Sequence, residues 1–254
     1  MARIFYFPGW GLKDRKIKRR RRIAFRLAAA ALLVLTADIF VLGMTGALSI
    51  FKPRASLYGG RAAVISPGSD VSFRELAGEG CDAVYFKATR GALYREEGTK
   101  EKLEAARREG LRTGLIHVFD PSSPSKEQAD NFLSATGEEH TLPPAIEFRL
   151  RGLYRLLPPD RERTAEKLCD LARRIELVTG KTPLLKCTPD LRERYLSGSD
   201  GYELPFWAEQ SGAEPEGEWE LWSYAGRERT KARDGGREYA EFAMIRKRKS
   251  GASV

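Results

Sequence analysis

The feature that most constrains this chain is a continuous apolar segment near its N-terminus. The segment runs from Leu27 to Ile50 and contains a single charged residue, Asp38. As a helix rising about 1.5 Å per residue, it is long enough to cross a hydrocarbon core of about 30 Å. The basic run KIKRRRR at 16–22 precedes it, and positive residues stay on the cytoplasmic side of a membrane. We therefore predict a single-pass cell-membrane protein with a transmembrane signal-anchor helix at 27–50, a cytoplasmic N-terminus and an extracytoplasmic C-terminal domain.

Two other interpretations of this segment stay open. It could be a buried core helix, or the core of a cleaved signal peptide, because 45–47 (Thr-Gly-Ala) resembles a small-residue cleavage site. A carboxylate near the middle of a membrane span costs about 2.5–3.5 kcal/mol on insertion scales. Asp38 is thus a candidate contact with a helix of a partner protein.

The charge distribution argues against nucleic acid as a partner. The formal net charge is +9, but residues 1–26 alone contain ten basic residues against one acidic residue, and a second basic group lies in the C-terminal tail at 246–254. The rest of the chain has more acidic than basic residues. Basic residues confined to the two tails indicate membrane topology, and no nucleic-acid surface is predicted. The C-terminal tail is expected to be a solvated end, and the alternative is attraction to anionic wall polymers or lipid headgroups outside the cell.

After a short linker at 51–60, strand-like and helix-like stretches alternate. Strands are predicted at 62–65, 83–88, 115–119, 145–148, 183–187, 206–208 and 220–224, and helices at 71–79, 100–108, 126–135 and 161–179. This alternation is typical of parallel strands joined by crossover helices, and so many units in one domain favour a closed, TIM-like α/β barrel at 61–245. Chemistry in such barrels lies at the carboxyl ends of the strands.

Several common kinds of site are not indicated. No glycine-rich phosphate loop follows a predicted strand, so no nucleotide cofactor is predicted. The three cysteines, Cys81, Cys169 and Cys187, form no Cys-x-x-Cys pair, so neither a metal site nor a thioredoxin-like site is predicted. One disulfide among the three stays open.

The order of short motifs resembles glycoside hydrolase family 25, the Chalaropsis-type lysozymes that cut peptidoglycan. The similar stretches are FKATRGALY (86–94), AARREGLRTGLIHVF (105–119), SKEQADNF (125–132), LPPAIEF (142–148), VTGKTPLLKCTPD (178–190), LPFWAEQ (204–210) and LWSYAG (221–226). The resemblance implies a flattened α/β barrel with a groove at the strand ends. It also implies peptidoglycan or another cell-wall glycan as the ligand.

The residues that depart from this family lie where its carboxylates are expected. Ala63 occupies the place of the first Asp, Arg90 that of a Glu, and Arg149 that of the catalytic Glu, while Glu147 stands for an Asp. A late family Asp falls loosely on Tyr239, with Glu238 and Glu241 nearby. Glycoside hydrolysis needs a group that protonates the leaving oxygen, and an arginine stays charged and cannot do so.

We expect Glu147 to be the one retained acid of the motif and the candidate catalytic residue. Two residues apart on a strand, Glu147 and Arg149 would share a face and form an ion pair, which would lower the pKa of the carboxyl. Lys87 is a second candidate partner of Glu147. A general acid needs a raised pKa, so muramidase activity is expected to be absent or very low.

A degenerate groove could still bind sugar, because aromatic rings stack on pyranose faces. The predicted groove residues are Tyr94, His117, Arg149, Trp207, Trp222 and Tyr224. The alternative for the two tryptophans is a place in the hydrophobic core, and for His117 a structural hydrogen bond.

Three functions are compatible with the sequence. The first is a membrane-tethered degenerate muramidase that binds wall glycan or a partner. The second is an active, divergent peptidoglycan hydrolase that uses Glu147 with a displaced acid such as Asp70, Glu209 or Glu238. The third is a structural partner in a membrane complex.

Overall fold

The structure is a computed structural model that describes residues 22–36, 53–136, 141–233 and 236–247. The chain divides into two compact units between residues 48 and 49. In the first unit a helix, α1, spans 22–36. Residues 37–50 of the predicted anchor lie outside the described residues. Within the ranges described, no helix combines the length and the apolar character that a membrane crossing needs.

The second unit is built around one closed ring of eight strands. In ring order, each hydrogen-bonded to the next and the last to the first, these are β1, β2, β4, β5, β6, β7, β8 and β9. Their bounds are β1 Gly60–Ile65, β2 Ala83–Arg90, β4 Arg112–Val118, β5 Ala145–Glu147, β6 Leu184–Cys187, β7 Phe206–Glu209, β8 Leu221–Arg233 and β9 Gly236–Ile245. A two-residue strand, β3 (Tyr94–Arg95), pairs antiparallel with the end of β2. The predicted α/β barrel is confirmed.

Five helices pack on this barrel: α2 (Phe73–Gly78), α3 (Thr99–Arg108), α4 (Ser125–Thr136), α5 (Arg161–Thr179) and α6 (Pro189–Leu196). The ends of α5 follow from the sequence, because the Asp160 carboxylate accepts the Arg163 N–H at the start and Gly180, at φ 65°, ends it. Helix α6 was not predicted, although Thr188 caps it and proline stands at its first position.

The barrel closes in a way that the sequence analysis did not predict. The ring strands β1, β2 and β4 to β8 are parallel to one another, but β9 runs antiparallel between β8 and β1. The outer part of the β8–β9 hairpin leaves the barrel and packs against α2, where the Thr230 hydroxyl donates to Glu79. The predicted strand 220–224 is therefore the first part of a longer strand whose partner, β9, was missed.

Alternation along the strands produces two separate cores. Side chains that face outward pack beneath the helices, and those that face inward fill the barrel. The inner core consists of Ala62, Val64, Ala83, Tyr85, Ile116, Ala145, Leu184, Trp207, Leu221 and Ala243. Gly114 belongs to the same layer, since a Cβ atom there would lie 2.3 Å from Cε1 of Tyr85. This apolar layer supports the charged layer described next.

Candidate active site

A layer of polar and charged side chains lies above the inner core, towards the carboxyl ends of the strands. Each member stands two residues from an inner-core residue on its own strand, so each also faces the barrel interior. The members are Lys87, Glu147, Lys186, Glu209, Ser223 and Glu241. The layer occupies the end of the barrel where chemistry is found in folds of this type.

Glu147, at the end of β5, is fully buried and surrounded by cations. Its Oε2 atom lies 2.6 Å from Nζ of Lys87 and 3.6 Å from Nζ of Lys186, and its Oε1 atom accepts a hydrogen bond from Arg151. Burial alone would raise the pKa of this carboxyl, but the charges of Lys186 and Lys87 outweigh it and hold the pKa well below its usual range. Glu147 is therefore ionised, and its predicted pairing with Lys87 is confirmed.

The partner predicted for Arg149 is wrong. Its Nη2 atom lies 2.6 Å from Oε1 of Glu209, and Arg151 makes the contact with Glu147 instead. The prediction assumed that strand alternation continues through residue 149, but β5 ends at Glu147. The structure thus places Arg149 at the site, with a different carboxylate.

Lys186, on β6, connects the acids of the layer and was missed by the sequence analysis. Its buried ammonium lies 2.8 Å from Glu241, also contacts Glu209 and is within 3.6 Å of Glu147. Burial alone would lower the pKa of Lys186, but Glu241, Glu209 and Glu147 raise it, so the lysine stays protonated. The signal available in the sequence was its position two residues after Leu184 on the same strand.

Glu209, at the end of β7, was one of three acids considered as displaced catalysts. Burial would raise the pKa of Glu209, but Lys186 and then Arg149 lower it below the usual value. Of the other two, Asp70 is exposed outside this layer, and the side chain of Glu238 lies outside the described residues. Glu241, noted in the sequence as a neighbour of the late family Asp, does face the site.

The first strand contributes no carboxylate to the layer. Ala63, taken as the position of the family's first Asp, packs in the outer core and faces the helices. Its neighbour Val64 faces the barrel interior and lies opposite Glu241 in the β1–β9 register. The inward position at this strand is therefore apolar.

Trp207 forms the floor of the charged layer and not an open binding surface. Its ring is fully buried, 4.7 Å from Tyr85 between ring centroids, and its Nε1–H donates to Oγ of Ser223. The Ser223 hydroxyl in turn donates to Glu241 over 2.7 Å. The prediction that Trp207 lines a groove is wrong, since a ring inside the barrel offers no face to a sugar.

Trp222 and Tyr224 are also buried, on the opposite side of the sheet. They lie in the outer core, where Trp222 contacts Trp219 and the Tyr224 hydroxyl donates to Glu228. They alternate with the inward residues of β8, which explains why they point away from the charged layer. Their predicted place in the groove is wrong as well.

His117 is a buried structural residue that faces α4. The Gln128 side-chain amide donates to two backbone carbonyls and its oxygen accepts the Asp120 N–H, which fixes the amide so that this oxygen also faces Nε2 of His117 at 3.1 Å. Nδ1 of the imidazole lies 2.8 Å from the Thr89 hydroxyl. Burial lowers the pKa of His117 to about 4, although the hydrogen bond with Gln128 on its own would raise the pKa. The ring is neutral and has no place in the groove.

Of the four predicted aromatic side chains, Tyr94 alone is exposed, at 39%. It lies on β3, beside the end of β2, where its hydroxyl donates to Glu96 over 2.8 Å. The Arg90 guanidinium lies 5.1 Å from the centre of its ring. Tyr94 is thus available to a ligand at the rim of the barrel.

No metal-binding cluster of three or more His, Cys, Asp or Glu side chains occurs in the described part of the chain. The carboxylates of the charged layer have ammonium and guanidinium groups as their partners. The layer as a whole is a buried ion-pair network, and the exposed side chains of Arg149 and Arg151 pair with its glutamates from the solvent side.

The family model "Glycosyl hydrolases family 25" matches residues 64–232. Among solved structures, a family 25 glycosyl hydrolase from Bacillus anthracis is similar with a TM-score of 0.68 and 22% identity, covering 74% of this chain and 89% of that one. A bacterial lysozyme from Streptomyces coelicolor has a TM-score of 0.63 and 20% identity, covering 74% and 92%. A family 25 lysozyme from Aspergillus fumigatus has a TM-score of 0.63 and 19% identity, covering 74% and 94%.

A search of curated protein sequences gave no match. The family model covers well over half of the chain, and the solved structures share its barrel across most of their own length. The chain therefore belongs to glycosyl hydrolase family 25.

Proposed function

We propose that this protein is a membrane-tethered member of family 25 that binds peptidoglycan, or another cell-wall glycan, without cleaving it. The observation that carries the proposal is the state of Glu147. This carboxylate is buried, ionised and in contact with Lys87, Lys186 and Arg151.

The chemistry of glycoside cleavage explains why this state matters. A general acid must be protonated before reaction, which requires a raised pKa, whereas the pKa values of Glu147 and Glu209 are both lowered. The motif resemblance assigns Arg149 to the position of a catalytic Glu, and an arginine donates no proton near neutral pH. Loss of general acid catalysis alone costs about 10²–10⁴-fold in rate.

The choice of ligand is supported by the family. The Streptomyces coelicolor protein with the same fold is described as a lysozyme, and lysozymes act on peptidoglycan. A family 25 barrel whose buried glutamates are paired with cations is consistent with a protein that binds the ligand class of the family without cleaving it. A similar fold does not by itself establish a function, so the identity of the ligand is part of the proposal.

The tether is proposed from the sequence of residues 27–50. Their length, their apolar composition and the basic run before them favour a retained anchor with the barrel outside the cytoplasm. Asp38 within this segment is the proposed contact for a partner helix. Alkaline carbonate extraction of membranes tests the anchor: the full chain should stay in the pellet, and a variant lacking 27–50 should be released. Release of both would contradict it.

One observation favours the alternative of an active hydrolase. Glu147, Glu209 and Glu241 gather around Lys186, so three carboxyl groups do lie at the strand ends. In that function Glu209 would be the displaced acid that works with Glu147. The lowered pKa of both groups argues against it.

The deciding experiment measures binding and cleavage together. Purified full-length protein in detergent is incubated with insoluble peptidoglycan, and both the bound protein and the reducing ends released are quantified. We expect binding, with release no greater than that of Glu147→Gln. The matched control, Glu127→Gln, changes an exposed glutamate on α4.

The other outcomes separate the remaining functions. Release that Glu147→Gln abolishes and Glu127→Gln preserves would establish the active hydrolase. Neither binding nor release would contradict a glycan ligand and leave the structural-partner function.

A further inference from the structure

In the ion-pair network at the strand ends, the carboxylates are buried and two of the cations are exposed. Its carboxylates are inside: the side chain of Glu147 is fully buried and that of Glu209 is 9% exposed. Two of its cations are outside, with 41% of the Arg149 side chain and 42% of the Arg151 side chain exposed. Positively charged groups are therefore exposed to solvent at the carboxyl-terminal end of the barrel strands, which we call the mouth.

These two arginines keep hydrogen-bonding capacity. Each uses its Nη2 atom in an ion pair, Arg149 with Glu209 and Arg151 with Glu147. A guanidinium carries five N–H donors. Within the described residues no other hydrogen bond or ion pair occupies either group, so the remaining donors are available to a ligand.

The surroundings add cations, and Glu96, the carboxylate that accepts from Tyr94, is paired with Lys102 at 3.0 Å. Along 148–157 the chain carries three arginines, the two above and Arg155, and no Asp or Glu. Arg90 is exposed at the end of β2, beside Tyr94. Within the network itself, Lys87, Lys186, Arg149 and Arg151 outnumber the three glutamates.

We propose that this mouth, formed by Arg149 and Arg151, is a binding site for an anionic group, a carboxylate or a phosphate. The inference rests on the proposed function and names the ligand class: an acidic wall polymer, held through its charge and not through a neutral sugar face. Planar guanidinium groups match the oxygens of carboxylate and phosphate in paired hydrogen bonds. The buried glutamates fix one end of each arginine, which reduces the side-chain entropy lost on binding.

The burial of the aromatic residues supports an ionic mode of binding. Trp207, Trp222 and Tyr224 are enclosed in the two cores, which leaves Tyr94 as the exposed ring among the predicted aromatic residues. Among the predicted aromatic residues, a neutral glycan would find Tyr94 alone to stack on. An anionic group would find two guanidinium groups that are already positioned.

Two sources could supply such an anion in a wall. Stem peptides of peptidoglycan carry carboxylates, and phosphate-linked wall polymers carry phosphodiesters. The test uses full-length protein in detergent and three soluble probes: glycan strands with stem peptides, chitin oligosaccharides that carry no charge, and poly(glycerol phosphate). Inorganic pyrophosphate serves as competitor.

The test variant is Arg149→Gln/Arg151→Gln, and its matched control is Arg174→Gln/Arg194→Gln. Arg174 and Arg194 are exposed arginines that each pair with one aspartate, at 2.9 and 2.8 Å, on α5 and α6. Two charge-assisted contacts are lost at the mouth, so affinity for the charged probes should fall at least about tenfold in the test variant, and by less than about twofold in the control.

A second variant guards against a folding defect. Arg149→Lys/Arg151→Lys keeps the charge but not the planar guanidinium, should preserve the near-ultraviolet circular dichroism of the wild type, and should bind poly(glycerol phosphate) more weakly than the wild type but more tightly than the glutamine variant. Binding of the wild type should weaken as salt rises and should be displaced by pyrophosphate. The charged probe that binds more tightly identifies the source of the anion.

The two proposals fail in different ways. Equal affinity for the uncharged chitin oligosaccharides and the peptide-bearing strands, with no binding of poly(glycerol phosphate), would overturn the anion site while leaving glycan binding intact. An equal loss in the test and control variants would also overturn it. Binding of pyrophosphate and poly(glycerol phosphate) without any binding of the peptide-bearing strands or the chitin oligosaccharides would support the anion site and contradict the proposed glycan ligand.

Discussion

Nζ of Lys186 lies 2.8 Å from Oε1 of Glu241, a contact that crosses the barrel interior between two strands that are not neighbours. Lys186 enters from β6 and Glu241 from β9, and the same ammonium also serves Glu209 and Glu147. One buried cation thus holds three acids from three strands in the fully buried part of the site.

Replacing Lys186 by methionine should strongly destabilise the barrel. It would leave buried carboxylates without their shared cation, and breaking a buried ion pair on one side costs about 3–5 kcal/mol. The free energy of unfolding is measured by urea denaturation. The control is Lys126→Met, which breaks an exposed pair with Asp130 and should change stability by less than about 0.5 kcal/mol. Similar losses in both variants would contradict the role given to Lys186.

His117 should make stability depend on pH between about 6.5 and 4. Its pKa is lowered to about 4 in the folded protein, so between these values the unfolded chain binds a proton that the folded chain does not. His117 makes its full contribution to the free energy of unfolding above about pH 6.5. This contribution falls by about 3 kcal/mol as the pH falls towards 4. Denaturation at several pH values should show this slope reduced in His117→Gln. The same slope in both proteins would contradict a buried neutral imidazole.

Gly114 should not tolerate alanine. The added Cβ would lie 2.3 Å from Cε1 of Tyr85, whose buried ring is held against Trp207. Overpacking of this kind costs about 1–3 kcal/mol. Gly78→Ala is the matched control, because no atom lies within 4 Å of the new methyl group at that helical position. Thermal unfolding should separate the two variants, and an unchanged melting temperature for Gly114→Ala would show that the inner core can adjust.

The thiols at Cys81 and Cys187 should be unreactive in the native protein. All three cysteines are free, and these two are buried. Burial raises the pKa of Cys81 to about 11 and that of Cys187 further, so little thiolate forms near neutral pH. A thiol reagent such as DTNB should therefore label Cys169, which is partly exposed, first, and should label Cys81 and Cys187 only after denaturation. Rapid native labelling of a Cys169→Ser variant would contradict this.

The sequence by itself determined those features that depend on neighbours along the chain. The boundaries of α5 follow from Asp160 and Gly180, and the strand and helix periodicities predicted the barrel. The placing of Glu147 at a strand end, and its pairing with Lys87, followed from the family motifs. Local hydrogen bonds and burial periods decide such features, and both are written in short stretches of sequence.

The tertiary structure decided which distant groups meet. The contact of Lys186 with Glu241 depends on β9 closing the ring in the antiparallel sense, and no local pattern specifies that closure. Because β5 ends at Glu147, this carboxylate pairs with Arg151, and Arg149 pairs with Glu209. Trp207 and Trp222 look alike in sequence, yet one faces the inner core and the other the outer core. Burial on one side or the other of a closed sheet depends on every strand around it, which is the physical reason that the sequence analysis predicted the barrel and did not predict the partners inside it.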